Sequence, residues 1–218
     1  MAVLTWDQTG ERLFETGVDK GVLFVQLPTG FYAPGVPWNG LISVTESPTG
    51  AEANPQYADN QKYLNLTSAE EFEGTIEAFT YPDEFMACEG SVDLAPGVSI
   101  GQQRRSQFAL CYRTKIGNDV NGQDHGYKIH IIYGAMAAPS EKAYTTINDS
   151  PEATTFSWEL TTTPVPVTGH APTATITVNS LTVSAEDLAA FEALIYGSAA
   201  TESELPLPNE IDALFTTP

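Results

Sequence analysis

The sequence predicts an α+β fold dominated by antiparallel strands. Side chains along 107–115 sort onto two faces with period two, and apolar and polar residues alternate along 154–162. A Gly-, Asn- and Asp-dense stretch, GNDVNGQDHG, joins 107–115 to 127–133 as a hairpin. Only one segment, 185–196, switches to helical spacing. Strands, an irregular excursion, a hairpin, more strands and a helix make one domain with an arm at each end.

Residues 1–20 mix charges with a few apolar side chains and read as an arm, without the basic start and apolar run of a secretory signal. GVLFVQL at 21–27 is rich in β-branched and aromatic residues and reads as a strand. Residues 28–39 carry three prolines, with Phe31, Tyr32 and Trp38 interleaved, and read as loop. A short strand follows at 41–45. Residues 46–66 contain two prolines and little periodicity, so they are expected to be a long irregular loop. FEGTIEAFTY at 72–81 is strand-like and puts Glu73, Thr75 and Glu77 on one face.

In 107–115, Phe108, Leu110 and Tyr112 oppose Ala109, Cys111 and Arg113; in 127–133, Tyr127, Ile129, Ile131 and Tyr133 share a face. Phe156, Trp158 and Leu160 alternate with Ser157, Glu159 and Thr161, and 174–178 is a further strand. Ser184 is placed to N-cap the helix with Asp187 three residues on, Leu188, Phe191, Leu194 and Ile195 form its apolar stripe, and Gly197 suits an αL C-cap. The predicted division is 1–197 for the domain, with its helix at 185–196, and 198–218 for an acidic, proline-bearing arm.

The chain carries 28 acids against 9 bases, a formal charge of −19. Too few cations are present to bind nucleic acid through its phosphates. No apolar run is long enough to span a bilayer. Six of the nine bases, Arg104, Arg105, Arg113, Lys115, Lys128 and Lys142, fall within about forty residues, and none follows Lys142. That asymmetry suits either solvated faces or a basic surface on one copy meeting an acidic surface on the next. Cys88 and Cys111, the only cysteines, have no framework spacing and are expected to be buried free thiols.

His125, His130 and His170 lack partners at metal-ligand spacing, and no nucleophile elbow, P-loop or dinucleotide fingerprint occurs, so neither cofactor nor metal is expected. Glu70, Glu71, Glu73 and Glu77, close in sequence to Asp83 and Glu84, offer a carboxylate pair of the kind glycosidases use, but acids are scattered throughout this chain. Trp38, Tyr57 and Tyr63 suit a carbohydrate cleft or, alternatively, burial between copies.

Long ordered phrases carry a resemblance. WDQTGERLFETGVDKGVLF, VPWNGLISVTESPTGAE, YADNQKYLNLTSAEEFEGTIEAFTYPDEFMACEG and RRSQFALCYRTKIGNDVNGQDHGYKIHIIYGAMAAPSEKAYTTINDSPEATTFSWELTTTP together resemble the major tail (tail tube) proteins of long-tailed phages of actinobacteria, from about Thr5 to about Gly197. The resemblance implies two packed antiparallel β-sheets in a sandwich-barrel with a flanking helix. It implies subunits in rings, commonly sixfold, stacked into a hollow tube of the virion after assembly in the host cytoplasm. DNA passes in transit, a tape measure protein occupies the lumen during assembly, and tail terminator and distal tail proteins meet the tube ends. It transfers no catalytic residue.

Under that expectation the candidate contacts between copies are Trp6, Phe14, Trp38, Tyr57, Tyr63 and Leu64, the loop 46–66, and Leu205, Leu207 and Phe215 of the tail. Glu73 and Glu77 are the candidate bore-lining acids, because acids repel passing phosphates. Arg104, Arg105 and Arg113 are the candidate basic interface.

Overall fold

The computed structural model describes residues 3–147, 149 and 152–216 of the 218. Residues 1–2 of the expected N-terminal arm and 217–218 of the C-terminal one lie outside the described residues. The strands are β1 (Phe14–Val25), β2 (Val36–Trp38), β3 (Leu41–Glu46), β4 (Thr49–Gly50), β5 (Ala53–Ala58), β6 (Gln61–Thr67), β7 (Glu70–Glu71), β8 (Glu73–Ala78), β9 (Val92–Ala95), β10 (Val98–Ile100), β11 (Phe108–Asn118), β12 (Gly122–Ala137), β13 (Phe156–Thr162) and β14 (Thr175–Asn179). A 3-10 turn at Asp83–Phe85 leads into α1 (Met86–Glu89); α2 spans Ala185–Tyr196 and α3 Pro208–Thr216.

The fold is α+β and mostly β, with antiparallel pairing throughout. One eight-stranded sheet runs in the order β2-β1-β11-β12-β13-β8-β3, with β14 added beside β12. It folds over on itself. β12 pairs with β14 along 128–132 and with β13 along 135–137. Between these stretches lies Gly134, with φ +57°, where a Cβ would run into the Thr163 carbonyl oxygen. Glycine therefore lets the longest strand pass from one layer to the other.

The β11–β12 hairpin is where the alternation predicts it, and longer. Tyr112 pairs with His130, and the turn closes at Asn118 and Gly122. The Asn118 side chain holds that turn by accepting from the Val120 and Asn121 N–H groups. β1 starts earlier than the predicted strand, and 14–20 belongs to the sheet rather than to an arm, because β11 offers it a partner as far as Gly117.

The layer β1-β11-β12-β14 is covered on both faces, so its strands alternate apolar with apolar. Leu23, Phe108, Leu110 and Ile132 point into a core shared with Ile76, Trp158, Leu160, Phe85 and Cys88. Val22, Phe24, Ala109, Cys111, Ile129, Ile131 and Tyr133 point the other way, against Leu188, Phe191 and Ile195 of α2. Fully burying each such large side chain contributes about 1.5–3 kcal/mol.

α2 is capped as its sequence predicts: the Ser184 hydroxyl accepts from the Asp187 N–H. Its C-terminus differs. Gly197 has φ +74° but ψ 174°, which is not αL. The chain crosses back, and the Leu194 carbonyl accepts instead from the Glu204 N–H at 2.7 Å. The segment after α2 is no free arm. Leu205 and Ile211 are buried against α2, the Phe215 ring lies 5.5 Å from Phe191, and the Tyr133 hydroxyl donates to the Pro206 carbonyl. Pro208 at the start of α3 loses no intrahelical bond, and the Glu210 carboxylate accepts from the Leu207 N–H.

Cys88 and Cys111 are free and buried, in different cores. Burial pushes the Cys88 thiol up to about 12 and raises that of Cys111 further. Ellman's reagent is expected to find no reactive thiol in the native protein at neutral pH and both after denaturation; rapid native labelling of either would contradict this packing.

Candidate assembly surfaces

The expected irregular loop at 46–66 is instead a continuous antiparallel ribbon. β3 pairs with β8, β4 with β7 and β5 with β6, so 41–78 is one long hairpin whose base belongs to the main sheet. Its tip is Asp59 and Asn60, both with positive φ (52° and 61°), the combination that closes a two-residue type I′ turn. Every residue of β5 and β6 is exposed. The register pairs Asn54 with Leu66 and Gln56 with Leu64 on one face and, across a bulge between Gln56 and Tyr57, Tyr57 with Lys62 on the other, with Tyr63 in the bulge. Tyr57 and Tyr63 are 71% and 74% exposed.

A second ribbon, β9–β10, is also uncovered. It turns at Pro96 and Gly97 (φ +77°), and Val92, Leu94, Val98 and Ile100 all face solvent.

The structure divides the residues singled out from the sequence. Trp6 is 73% exposed on the N-terminal arm, and Phe14 is exposed beside Gly117. Leu64 sits on the ribbon, and Leu207 is exposed where Leu205 is not. Trp38 is a correction: it is only 3% exposed, its indole donates to the Thr80 carbonyl, and its ring packs on Phe85 and Trp158. The proline-bearing segment around it lies over the core, so Trp38 meets neither a neighbouring copy nor a sugar. With Trp38 buried in the core and Tyr57 and Tyr63 out on the ribbon, the three residues proposed for a carbohydrate cleft do not line one together.

Arg113 is likewise not free. Its guanidinium donates two 2.7 Å bonds to the Asp19 carboxylate and lies over the Tyr127 ring. Arg105 donates to the Ala137 carbonyl, whereas Arg104 is exposed. The Arg113 hydrogen bonds hold the Asp19 carboxyl below its usual value of 3.8. A depressed acid stabilises the fold above that value and loses the contribution as pH falls through its folded pKa. Asp19→Asn is therefore expected to lower the melting temperature near pH 7 and to converge with the parent as the pH falls through the lowered Asp19 pKa; an equal difference at every pH would contradict this.

Glu73, Thr75 and Glu77 point away from the core, and the register sets them beside Ser157, Glu159 and Thr161 of β13 and Ser43 and Thr45 of β3. Ser43 donates to the Glu77 carboxylate. The outer face of β3-β8-β13 is thus hydroxyls and carboxylates, with no lysine or arginine on these strands.

His130 is partly buried. It stacks on Tyr112 at 4.8 Å, with Nε2 2.9 Å from the Thr114 hydroxyl and Nδ1 3.2 Å from that of Thr177. The Tyr112 hydroxyl donates to Glu46. Burial lowers the His130 pKa against the pull of Glu46, so the ring is neutral at pH 7. It ties strands together.

Among the described residues, β2, β3 and β14 each have one unpartnered side, and so does part of β1. Beyond its pairing with β2 at 21–23, β1 has an unpaired side along 14–20. β14 is open on the side away from β12. Tyr133 donates to the Ala174 carbonyl and Ser180 to the Tyr127 carbonyl, so by alternation Thr177 aims its N–H and C=O outward. β1 is interrupted by bulges and β14 is short, devices that restrain indiscriminate edge pairing.

Among the described residues, no group of three or more His, Cys, Asp or Glu side chains is placed to hold a metal ion. No described helix is long and apolar enough to cross a membrane.

No protein-family model matches the chain, and no curated protein matches it. Solved structures do. A chain titled as part of the anti-feeding prophage baseplate, sixfold symmetrised, has TM-score 0.38 and 9% identity, covering 80% of this chain and 97% of that one. A chain titled as the sheath/tube terminator of an extracellular contractile injection system in its extended state has TM-score 0.30 and 10% identity, covering 81% of this chain and 99% of the other. Likeness at this level carries nothing about what the chain does.

Proposed function

We propose that this chain is a structural, non-enzymatic subunit that assembles with copies of itself into stacked rings forming a hollow tail tube of a phage-like particle. The observation that carries the proposal is the β5–β6 ribbon. A two-stranded ribbon exposed on every residue is marginal by itself, and this one presents Tyr57, Tyr63, Leu64 and Leu66 to solvent. A neighbouring copy is the partner that covers it. The long sequence resemblance to tail tube proteins supports the same reading.

The strand order suits head-to-tail joining. β1, β11, β12 and β14 alternate in direction. A neighbour's β1 placed against β14 therefore preserves antiparallel order around a closed ring, and closure covers the β1 and β14 edges. The resemblance supplies a ring number of six and, as partners, a tape measure protein in the lumen with terminator and distal proteins at the tube ends. The outer face of β3-β8-β13, with Glu73 and Glu77, lines the bore and repels passing phosphates.

Thr177→Pro tests the edge. Proline is tolerated where a strand's N–H faces outward, so the bonds to β12 survive while the outward donor is lost. The variant is expected to remain folded by circular dichroism and to form no filaments under electron microscopy. Filaments equal to the parent's would refute joining through β14.

A further inference from the structure

Where α1 ends, four segments meet around a cavity of about 210 Å³. They are 89–91, 101–105, the strap 138–142 and Trp158 of β13. Trp158 is 1% exposed, and its Nε1–H is buried with no acceptor among the described residues. Buried donors in folded proteins are almost always paired, so this one points to an acceptor from outside the chain.

The charges say which kind. The Arg105 guanidinium spends one N–H on the Ala137 carbonyl at 2.8 Å. The Lys142 ammonium donates to Glu89 at 2.7 Å and to the Tyr81 hydroxyl at 3.0 Å. Among the residues that line the cavity, two cations against one carboxylate leave a single positive charge beside an unpartnered donor, with Glu141 of the strap turned to solvent, in a chain whose net charge is −19. A water satisfies the indole alone; a monoanion with two acceptor oxygens satisfies indole and charge together.

We propose that this cavity is a carboxylate-binding site, with one oxygen accepting from the Trp158 indole and the other facing Arg105. The carboxylate comes from a small free acid or from an acidic side chain of a second copy. Residues 91 and 101 flank β9–β10 at both ends, so an occupant also braces the root of that exposed ribbon. The inference does not depend on the tube.

Formate titrated into the ¹⁵N-labelled full chain at constant ionic strength tests it. The Trp158 indole resonance is expected to move saturably while those of Trp6 and Trp38 stay still. Arg105→Gln weakens the response about tenfold or more. Glu89→Gln, which removes the competing carboxylate, strengthens it, and this variant decides the matter if Arg105→Gln does not fold. Arg104→Gln leaves it unchanged. No movement, or a non-saturating drift shared by all three indoles, would overturn the site, as would a response indifferent to both Arg105→Gln and Glu89→Gln. The source is read from the same signal: a shift on raising protein concentration without formate marks a second copy's side chain, and its absence marks a free acid.

Discussion

Replacing residues 53–67 by an Asn-Gly turn is expected to give a protein that folds normally and never assembles. The reason lies in where the ribbon's residues are. None of β5 or β6 contributes to either core, so the deletion takes away exposed surface only. The β4–β7 pair, Thr49 with Glu71 and Gly50 with Glu70, remains to close the shortened hairpin. A tight turn shortens the loop at little entropic cost. The melting temperature should hold to within about 3 °C, since a surface change of this kind is worth within about 1 kcal/mol. Assembly should fall below detection, because the deletion removes Tyr57, Tyr63, Leu64 and Leu66 together. Unfolding of the variant would show that the ribbon braces its own body; tubes of ordinary dimensions would show that it contacts no neighbour.

Phe85→Ala is expected to destabilise the fold severely, far more than truncation of an exposed aromatic. Phe85 is fully buried although it lies in a 3-10 turn. Its ring sits 4.6 Å from Trp38, 5.0 Å from Trp158, 5.3 Å from Phe108 and 6.0 Å from Tyr81. It is the point where both sheet layers and the 3-10 turn share one aromatic cluster. Truncation should cost about 3–5 kcal/mol, the transfer free energy of the ring plus the cavity left behind. For a chain of this size that is a fall in melting temperature of about 6–20 °C. Phe79→Ala is the control: Phe79 is exposed, and its loss should move the melt by no more than about 2 °C. Equal effects at the two positions would mean that the core is not organised around Phe85.

Legibility in the sequence followed burial. β11, β12, β13 and α2 each press at least one patterned face into a core, so Phe156, Trp158 and Leu160, or Leu188, Phe191 and Ile195, repeat at the period of their element. The β5–β6 ribbon buries neither face. Nothing forces Gln56, Tyr63 or Asn65 into alternation, and Pro55 breaks what pattern remains. Its one usable signal is local: Asp59 followed by Asn60, which tolerate positive φ, between two extended runs. β9–β10 is equally hard to read for the same reason, although Pro96 and Gly97 mark its turn.

The acidic, proline-bearing composition after Gly197 hides α3, whose starting pattern is Leu207, Pro208 and Glu210. The prolines near Trp38 argue for loop, and a loop over a core can still bury its tryptophan. For Arg113 the sequence shows a cation but not Asp19, which lies far away along the chain and is brought opposite only by the β1–β11 pairing. Charge counted along a chain says which cations exist; only the fold says which are already neutralised.

Purified full-length protein, imaged by negative-stain electron microscopy across a concentration series, tests self-assembly most directly. Hollow filaments of uniform diameter, appearing above a threshold concentration, are the predicted result. A protein that remains monomeric at every concentration, alone and with its particle's other components, would contradict it.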